Sequence, residues 1–319
     1  MTVRLTVDRA RWTAHVTAAF ADYGDGLVPV VKGNGYGFGR PLLHDIVARH
    51  SNRVCVGTVH ELIDAPAALT PVVLTPTLVA PAETRAVLTV GNLDHVGVLD
   101  GWRGSVMVKL ASSMRRYGAT PAELPDLLTA VSNAGLQVAG FGIHLPLAGD
   151  DDERLAEVET WLPLLPPTVE VWVSHLRPQS FRALTGAHPD RNFRIRVGTL
   201  LWHGTPRADF ISLTADVLQT QPVRARELAG YHHTPVPFDG TLVAIGAGST
   251  HGIALLDDAD PTRRSPFHFQ RQRLALLERP HMHTSLVVVP AGQQCPRVGE
   301  WVEVQRPLIS TDIDELRWT

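Results

Sequence analysis

The sequence has few lysines, few cysteines and no long hydrophobic run. Only two of its 319 residues are cysteines, Cys55 and Cys295, which is too few for a disulfide scaffold or a zinc ribbon. No apolar run is long enough to cross a membrane, and the opening residues MTVRLTVDRARW do not resemble a secretory signal peptide. The formal net charge is only −3, with no block of like charge, which argues against a nucleic-acid-binding face. We expect a soluble, cytoplasmic protein that binds neither nucleic acid nor a membrane.

Lysine is as rare as cysteine in this chain. Of the 29 basic residues, 27 are arginines and two are lysines, Lys32 and Lys109. Arginine does not lose its proton in proteins and cannot act as an amine nucleophile, whereas lysine can. Amine chemistry would therefore involve Lys32 or Lys109, and the alternative is that both are ordinary structural lysines.

Short β-branched runs alternate with amphipathic stretches up to about residue 199. We predict strands at 27–32, 53–58, 72–76, 95–99, 105–110, 138–145, 169–176 and 193–199. We predict helices at 8–24, 41–50, 82–90, 120–135 and 152–165. Eight strands separated by helices favour an α/β fold, a (β/α)8 TIM-type barrel over residues 1–205. A doubly wound open sheet is the alternative, although no G-x-G-x-x-G follows the first strand.

The pattern changes after about residue 205. Strand-like runs joined by Gly and Pro turns continue to the end of the sequence, with little helical periodicity. We predict a smaller, mainly β domain over residues 206–319, with the boundary near Gly204–Ala208.

Four chemically distinctive residues fall near the carboxyl ends of predicted barrel strands, where barrels carry their functional groups. They are Lys32, Lys109, His144 and Arg196. A partly desolvated lysine loses its proton more readily, as a Schiff base requires. Glycines follow Lys32, and Gly198–Thr199 follow the last strand, where barrels often bind phosphate. A reactive lysine beside a phosphate site points to pyridoxal phosphate, although Lys109 and Arg196 would also serve as structural ion-pair members.

Five motifs then resemble those of the alanine racemase family, in the same order. V-V-K-G-N-G-Y-G-F-G (30–39) is similar to the motif that carries the family's cofactor lysine, and K-L-A-S-S-M-R-R-Y-G (109–118) matches a second motif. G-I-H-L-P-L-A around His144, R-V-G-T around Arg196 and E-R-P-H-M-H-T-S-L-V (278–287) complete the set. The resemblance covers essentially the whole chain. It implies a pyridoxal 5′-phosphate enzyme that acts on a small amino acid. It also implies a homodimer in which each β domain completes the partner's active site.

The resemblance also implies roles for individual residues that hold the cofactor. Lys32 would form the Schiff base with pyridoxal phosphate and serve as one catalytic base. The phosphate would be held by Tyr36, Ser180 and the Gly198–Thr199 turn. Around Ser180 this sequence matches the family's pattern only with a gap.

Basic residues of the barrel would surround the cofactor ring. Arg116 would bond the phenolic oxygen and help to hold the substrate carboxylate. Lys109, which is carbamylated in some family members, would orient Arg116. Arg196 would face the pyridine nitrogen with His144 supporting it, which favours proton exchange over transamination.

The sequence departs from the family at the second catalytic base. Racemisation needs an acid/base on each face of the substrate, and the family supplies the second one as a tyrosine in a motif similar to I-G-Y-A-D-G. This chain reads I-G-A-G-S-T-H-G (245–252), with Ala247 in place of the tyrosine. His251 and His283 are the candidate replacements, with Ser249 nearby.

Two further positions differ from the family's pattern. Its Met-Asp pair is Met282–His283 here, so Met282 is a candidate substrate-binding residue. The family's C-terminal phosphate-binding tyrosine is lost near Asp314.

We therefore predict an amino-acid racemase with Lys32 on one face and a non-standard second base on the other. One alternative is another reaction of the same cofactor, of the decarboxylase or aldolase type, which needs a single well-placed base. A second alternative is a non-catalytic cofactor-binding or regulatory protein. The histidines at 232–233 and 281–283 lack convincing metal-ligand spacing, and we predict no metal site.

Overall fold

The computed structural model describes residues 2–205, 208–256 and 265–319. In chain order, its helices and strands up to residue 204 are β1 (Val3–Val7), α1 (Arg9–Tyr23), β2 (Leu27–Pro29), α2 (Arg40–Val47), β3 (Arg53–Val56), β4 (Thr70–Val73), β5 (Val87–Val90), α3 (Leu93–Gly97), β6 (Ser105–Lys109), α4 (Leu124–Asn133), β7 (Gln137–Gly142), α5 (Asp151–Trp161), β8 (Val171–Ser174), α6 (Pro178–Ala187), β9 (Phe193–Val197) and α7 (Thr199–His203). The later strands are β10 (Ile211–Val223), β11 (Leu228–Ala229), β12 (Thr234–Pro235), β13 (Gly240–Ile245), β14 (Phe267–Phe269), β15 (Gln272–Arg273), β16 (Ala275–Leu276), β17 (Ser285–Pro290), β18 (Trp301–Val304) and β19 (Glu315–Trp318). None of the helices described is long and apolar enough to span a membrane.

The strands β2 to β9 form the predicted barrel. They pair in parallel in the order β2-β9-β8-β7-β6-β5-β4-β3. A parallel bridge between Val30 and Cys55 brings the two edge strands together, and the Val31 N–H donates to the Cys55 carbonyl. The strands are short and mostly buried, as expected when helices cover the outside of a parallel sheet. The prediction of a (β/α)8 barrel is confirmed.

One strand and one helix of the sequence prediction are wrong. The predicted strand at 95–99 lies mostly in α3, and the predicted helix at 82–90 contains β5. The four residues of β5, VLTV, are all buried, and β-branched side chains suit a pleated, enclosed strand better than a helix. Helix α3 begins at an N-cap: the Asn92 side chain accepts a hydrogen bond from the His95 N–H.

Local sequence signals explain where several barrel helices begin. Helices α2, α4 and α6 each carry a proline in their first turn, namely Pro41, Pro125 and Pro178, where the missing N–H costs nothing. Helix α5 begins with a capping box in which Asp150 and Glu153 bond each other's backbone N–H.

The predicted β domain is also confirmed. Its main sheet has the order β15-β14-β18-β10-β13-β17-β16, and the long strand β10 pairs antiparallel with β13 and β18. The N-terminal strand β1 belongs to this sheet because it pairs with β10 and β19. Fully buried aliphatic and aromatic side chains form the core beneath it, including Val243, Ile245, Phe267 and Val302.

The chain forms two compact units. The β unit comprises residues 2–13, Tyr36–Phe38 and the described residues from Thr205 onward. The barrel unit comprises Ala14–Gly35 and Gly39–Gly204.

Candidate active site

Five neighbouring barrel strands, β6-β7-β8-β9-β2, carry polar side chains at or just beyond their carboxyl ends. Because parallel strands end at the same edge of a sheet, these side chains share one end of the barrel. In the order of the strands they are Lys109, His144, Ser174 with His175, Arg196 and Lys32.

Lys32 lies three residues after β2, and the residue as a whole is exposed to solvent. Its pKa is lowered chiefly by burial of the amine, and the Arg116 and Arg196 guanidinium groups lower it further. A lysine whose pKa is lowered presents more of the neutral amine that attacks a carbonyl carbon.

Glu61 was missed by the sequence reasoning, and no motif singles it out. Its carboxylate accepts hydrogen bonds from the backbone N–H of Gly33 at 3.0 Å and of Gly57 at 2.6 Å. It thereby ties the loop after Lys32 to the loop after β3. The same carboxylate acts on Lys32 in the direction that raises the pKa of the amine.

Lys109 is buried, with 4% of its surface exposed. The pKa of its amine lies well below the usual lysine value because of burial first, and then because of the Arg196 and Arg116 guanidinium groups. The charged groups that act on this buried lysine are therefore cations, which is an unfavourable environment for an ammonium group.

Arg196 is anchored by carbonyl groups of two neighbouring strand ends. Its Nε donates to the Val173 carbonyl at 3.3 Å, and a terminal nitrogen donates to the Ile143 carbonyl. Burial lowers the pKa of this guanidinium, and Arg116 acts in the same direction. Arg116 itself is exposed, and its guanidinium carbon lies 4.6 Å from the centre of the Tyr117 ring.

His144 is held as a neutral imidazole. Burial and then the Arg196 charge lower its pKa to about 2. Its Nδ1 lies 3.0 Å from the Ser174 hydroxyl, which also accepts a hydrogen bond from the Leu145 N–H. The neighbouring His175 ring lies 4.7 Å away, centre to centre.

The three candidate phosphate positions differ in their surroundings. Gly198 and Thr199 begin α7, so N–H groups of its first turn lie at the end of β9. Ser180 instead hydrogen-bonds the Asp151 carboxylate, which would repel a phosphate. Tyr36 is buried in the β unit and has a left-handed backbone with φ of 57°.

The candidate residues of the β unit lie around the turn after β13. Ala247 is fully buried in the core, so this position supplies no acid/base group. The His251 and His283 rings are 6.2 Å apart, centre to centre. Met282 is 65% exposed and His283 is exposed, whereas His251 is only 6% exposed.

A second polar cluster in the β unit organises a loop. The Glu278 carboxylate accepts hydrogen bonds from the backbone N–H of Tyr231 and His232 and from the Thr234 hydroxyl, and it pairs with His281. These bonds lower the pKa of Glu278 to about 2 against the opposing effect of burial. Within the described parts of the chain, no group of three or more His, Cys, Asp or Glu side chains is arranged to hold a metal ion.

The opposite, amino end of the barrel has a cavity with a volume of about 580 Å³. Arg53 and Arg194 line it, and both pair with the Glu170 carboxylate. The two guanidinium groups therefore share one carboxylate, and neither lysine lines this cavity.

Comparison with known proteins gives a consistent picture. A sequence profile of the alanine racemase N-terminal domain matches residues 7–206. The alanine racemase of Marinobacter nauticus is 26% identical over 317 residues, covering 89% of this chain and 84% of the relative. The alanine racemase of Bartonella henselae, solved with covalently bound pyridoxal phosphate, has a TM-score of 0.74 at 17% identity, with both chains covered over their full length. The biosynthetic alanine racemase of Pseudomonas aeruginosa has a TM-score of 0.71 at 18% identity, covering 100% of this chain and 99% of its own.

Proposed function

The chain belongs to the alanine racemase family of pyridoxal-phosphate enzymes, and we propose that it racemises a small amino acid with Lys32 on one face of the substrate and a histidine on the other. The observation that carries this proposal is the reactive environment of Lys32, at the end of a barrel that also presents Arg196, Arg116 and Lys109.

The donor groups at this end of the barrel fit pyridoxal phosphate. Lys32 supplies an amine of lowered pKa for the cofactor's aldehyde. The first turn of α7 supplies N–H groups for the phosphate, and Tyr36 and Ser180 are further candidates. The engagement of Ser180 with Asp151 makes it the weakest of the three. When bound, pyridoxal phosphate supplies an electron sink for the electron pair that remains on the α-carbon.

The arginines and His144 have distinct roles in this proposal. Arg196, fixed by the Ile143 and Val173 carbonyls, would face the ring nitrogen of the cofactor. His144 stays neutral and packs beside it. Arg116 would hold the phenolic oxygen of the cofactor and the substrate carboxylate, and Met282 would be a second substrate contact.

Lys109 positions Arg116 in this proposal, and we assign it a carbamate. A buried lysine whose charged neighbours are two arginines gains favourable pairing when its amine is converted to a carbamate anion. Equilibration with ¹³C-bicarbonate should give a protein-bound carbamate carbon resonance that is absent from Lys109→Met. Identical spectra for the two proteins would contradict the assignment.

We further propose a cytoplasmic homodimer in which residues 206–319 of one subunit complete the barrel of the other. Support comes from apolar side chains on loops that follow β3, β4 and β7. Ile63, Leu78, Val79 and Leu147 are 88%, 72%, 67% and 80% exposed, respectively. Exposed apolar side chains on several loops that follow strands at the same end of a barrel are compatible with a surface that another chain covers.

The presence of only two lysines makes the cofactor assignment easy to test. Pyridoxal phosphate is added, the link is reduced with borohydride, and the modified peptide is identified by mass spectrometry. We expect modification of Lys32, together with a visible absorption band before reduction that Lys32→Arg lacks. Lys109→Met is the matched control and should retain the band. Modification of Lys109 alone, or no band at all, would contradict the proposal.

One observation favours the non-catalytic alternative. The position of the family's second base holds a buried alanine, Ala247, so a cofactor-binding protein without turnover is the second candidate function. The two candidates differ in whether any amino acid exchanges its α-hydrogen.

A further inference from the structure

The Thr250 hydroxyl determines the tautomer of the His283 ring. Its oxygen lies 2.6 Å from the Met282 carbonyl oxygen and 3.0 Å from His283 Nδ1. A carbonyl oxygen only accepts hydrogen bonds, so the single hydroxyl hydrogen of Thr250 goes to Met282. The bond to His283 must then be donated by Nδ1–H. When the His283 ring is neutral, its unprotonated nitrogen is therefore Nε2, and this side chain is exposed.

His251 is held in the opposite tautomer. The Gly248 N–H donates to His251 Nδ1 at 3.2 Å, so Nδ1 accepts and the ring proton is on Nε2. That nitrogen lies 3.2 Å from the Asp314 carboxylate. The Nδ1 lone pair of His251 thus already accepts the hydrogen bond from Gly248, and the ring is buried. Taking up a proton at Nδ1 would break the bond to Gly248 and place two N–H groups against each other.

The segment that carries His283 is held firmly by the backbone. The Ser249 N–H donates to the His281 carbonyl at 2.8 Å, and the Thr250 N–H donates to the Met282 carbonyl at 2.9 Å. A Cβ on Gly248 would overlap both carbonyl oxygens, so the two segments are in close backbone contact. Such support is what a catalytic side chain needs in order to keep its orientation.

We propose that His283 is the second acid/base of the racemisation, and that Thr250 is the positioning residue that leaves its Nε2 free to accept a proton. This inference rests on the proposed function, in which residues 206–319 of one subunit complete the barrel of the other. In one direction Nε2 takes the α-hydrogen as a proton and the ring becomes an imidazolium, while Lys32 gives a proton to the opposite face. The carbon loses one proton and gains one, and solvent exchange restores both bases. His251, whose Nδ1 accepts the hydrogen bond from the Gly248 N–H, remains a structural residue.

The tautomers can be measured without cofactor or substrate. In protein carrying ¹⁵N-labelled histidine, long-range ¹H–¹⁵N correlation spectra separate protonated from unprotonated ring nitrogens. We expect His283 as the Nδ1–H form and His251 as the Nε2–H form, with assignments from His283→Asn and His251→Asn. Thr250→Val should shift His283 toward a mixture of tautomers, and Thr250→Ser should restore it. A neutral His283 protonated on Nε2 in the wild type would overturn the proposal.

Exchange of the α-hydrogen in heavy water tests the catalytic role, with each amino acid that the wild type exchanges supplied as separate enantiomers. His283→Asn keeps a donor for Thr250 but removes Nε2. We expect its exchange to fall 10²-fold or more for one enantiomer and to persist for the other, on which Lys32 acts. His233→Asn, an exposed histidine in a loop of the same unit, is the matched control and should exchange both enantiomers.

Two results overturn the proposal in distinguishable ways. If His251→Asn shows the one-sided loss and His283→Asn does not, the proposed function stands and the assignment of the second base is wrong. If the wild type exchanges no amino acid, the proposed function fails and the catalytic role of His283 fails with it, whatever the tautomer.

Discussion

At the scale of single residues, three basic groups at the carboxyl end of the barrel share the same electrostatic environment. Burial and the two arginines lower the pKa values of Lys32, Lys109 and His144 together. The sequence already pointed to both lysines. In a chain whose other 27 basic residues are all arginines, the two lysines are the candidates for amine chemistry. The sequence could not reveal Glu61, since its role depends on backbone N–H groups of two separate loops.

The low pKa of His144 predicts a stability that decreases in acid. The folded protein keeps this ring neutral down to about pH 2, whereas the unfolded chain takes up a proton near pH 6.5. The unfolded state therefore binds more protons between these values, and stability falls as the pH falls, by about 1.4 kcal/mol per pH unit. His144→Asn should remove this contribution. Urea unfolding of the wild type and of His144→Asn between pH 6.5 and pH 5 gives the free energy of unfolding of each protein as a function of pH. The same pH dependence in both proteins would contradict this prediction.

At the scale of secondary-structure elements, the errors of the sequence prediction have a physical origin. The stretch at 82–90 has apolar residues at helical spacing, yet its last four side chains are fully enclosed in the barrel wall. The short run at 95–99 looks like a strand because it is apolar, but the Asn92 cap begins a helix just before it. Short apolar segments carry little periodicity, so caps and burial decide their structure. The longer helices, with clearer patterns, were placed to within a few residues.

The close packing of the turn after β13 predicts a stability effect at Gly248. A Cβ there would meet the carbonyl oxygens of His281 and Met282, and the backbone would have to shift. We expect Gly248→Ala to destabilise the protein by about 1–3 kcal/mol. Gly186→Ala lies in α6 with nothing within 4 Å of the added carbon, and should stabilise by about 0.5–1 kcal/mol. Thermal unfolding of both variants measures the change in stability. An equal change in stability for Gly248→Ala and Gly186→Ala would contradict the close packing at Gly248.

At the scale of the whole molecule, the order of motifs along the chain was more informative than any one of them. The barrel, the β domain and the family could all be predicted from the sequence, because strand count and ordered motifs survive extensive divergence. The second base could not be chosen from the sequence. Both candidates, His251 and His283, are histidines in family-like motifs, so the sequence does not distinguish them. They differ in the hydrogen-bond partners of their rings, which only the structure shows. The domain boundary at residues 205 and 206 and the roles of the site residues remain predictions.

We propose above all that this protein exchanges the α-hydrogen of an amino acid and thereby interconverts its two enantiomers. The most direct measurement incubates the cofactor-loaded protein in heavy water with a mixture of L-amino acids that includes alanine. Mass spectrometry and chiral chromatography then follow deuterium at the α-carbon and the appearance of D-forms. We predict that at least one amino acid gains a single α-deuterium and accumulates in both configurations, and that Lys32→Arg abolishes this. No exchange, with cofactor still bound at Lys32, would mean a non-catalytic protein, and release of carbon dioxide or an aldehyde would mean a different reaction.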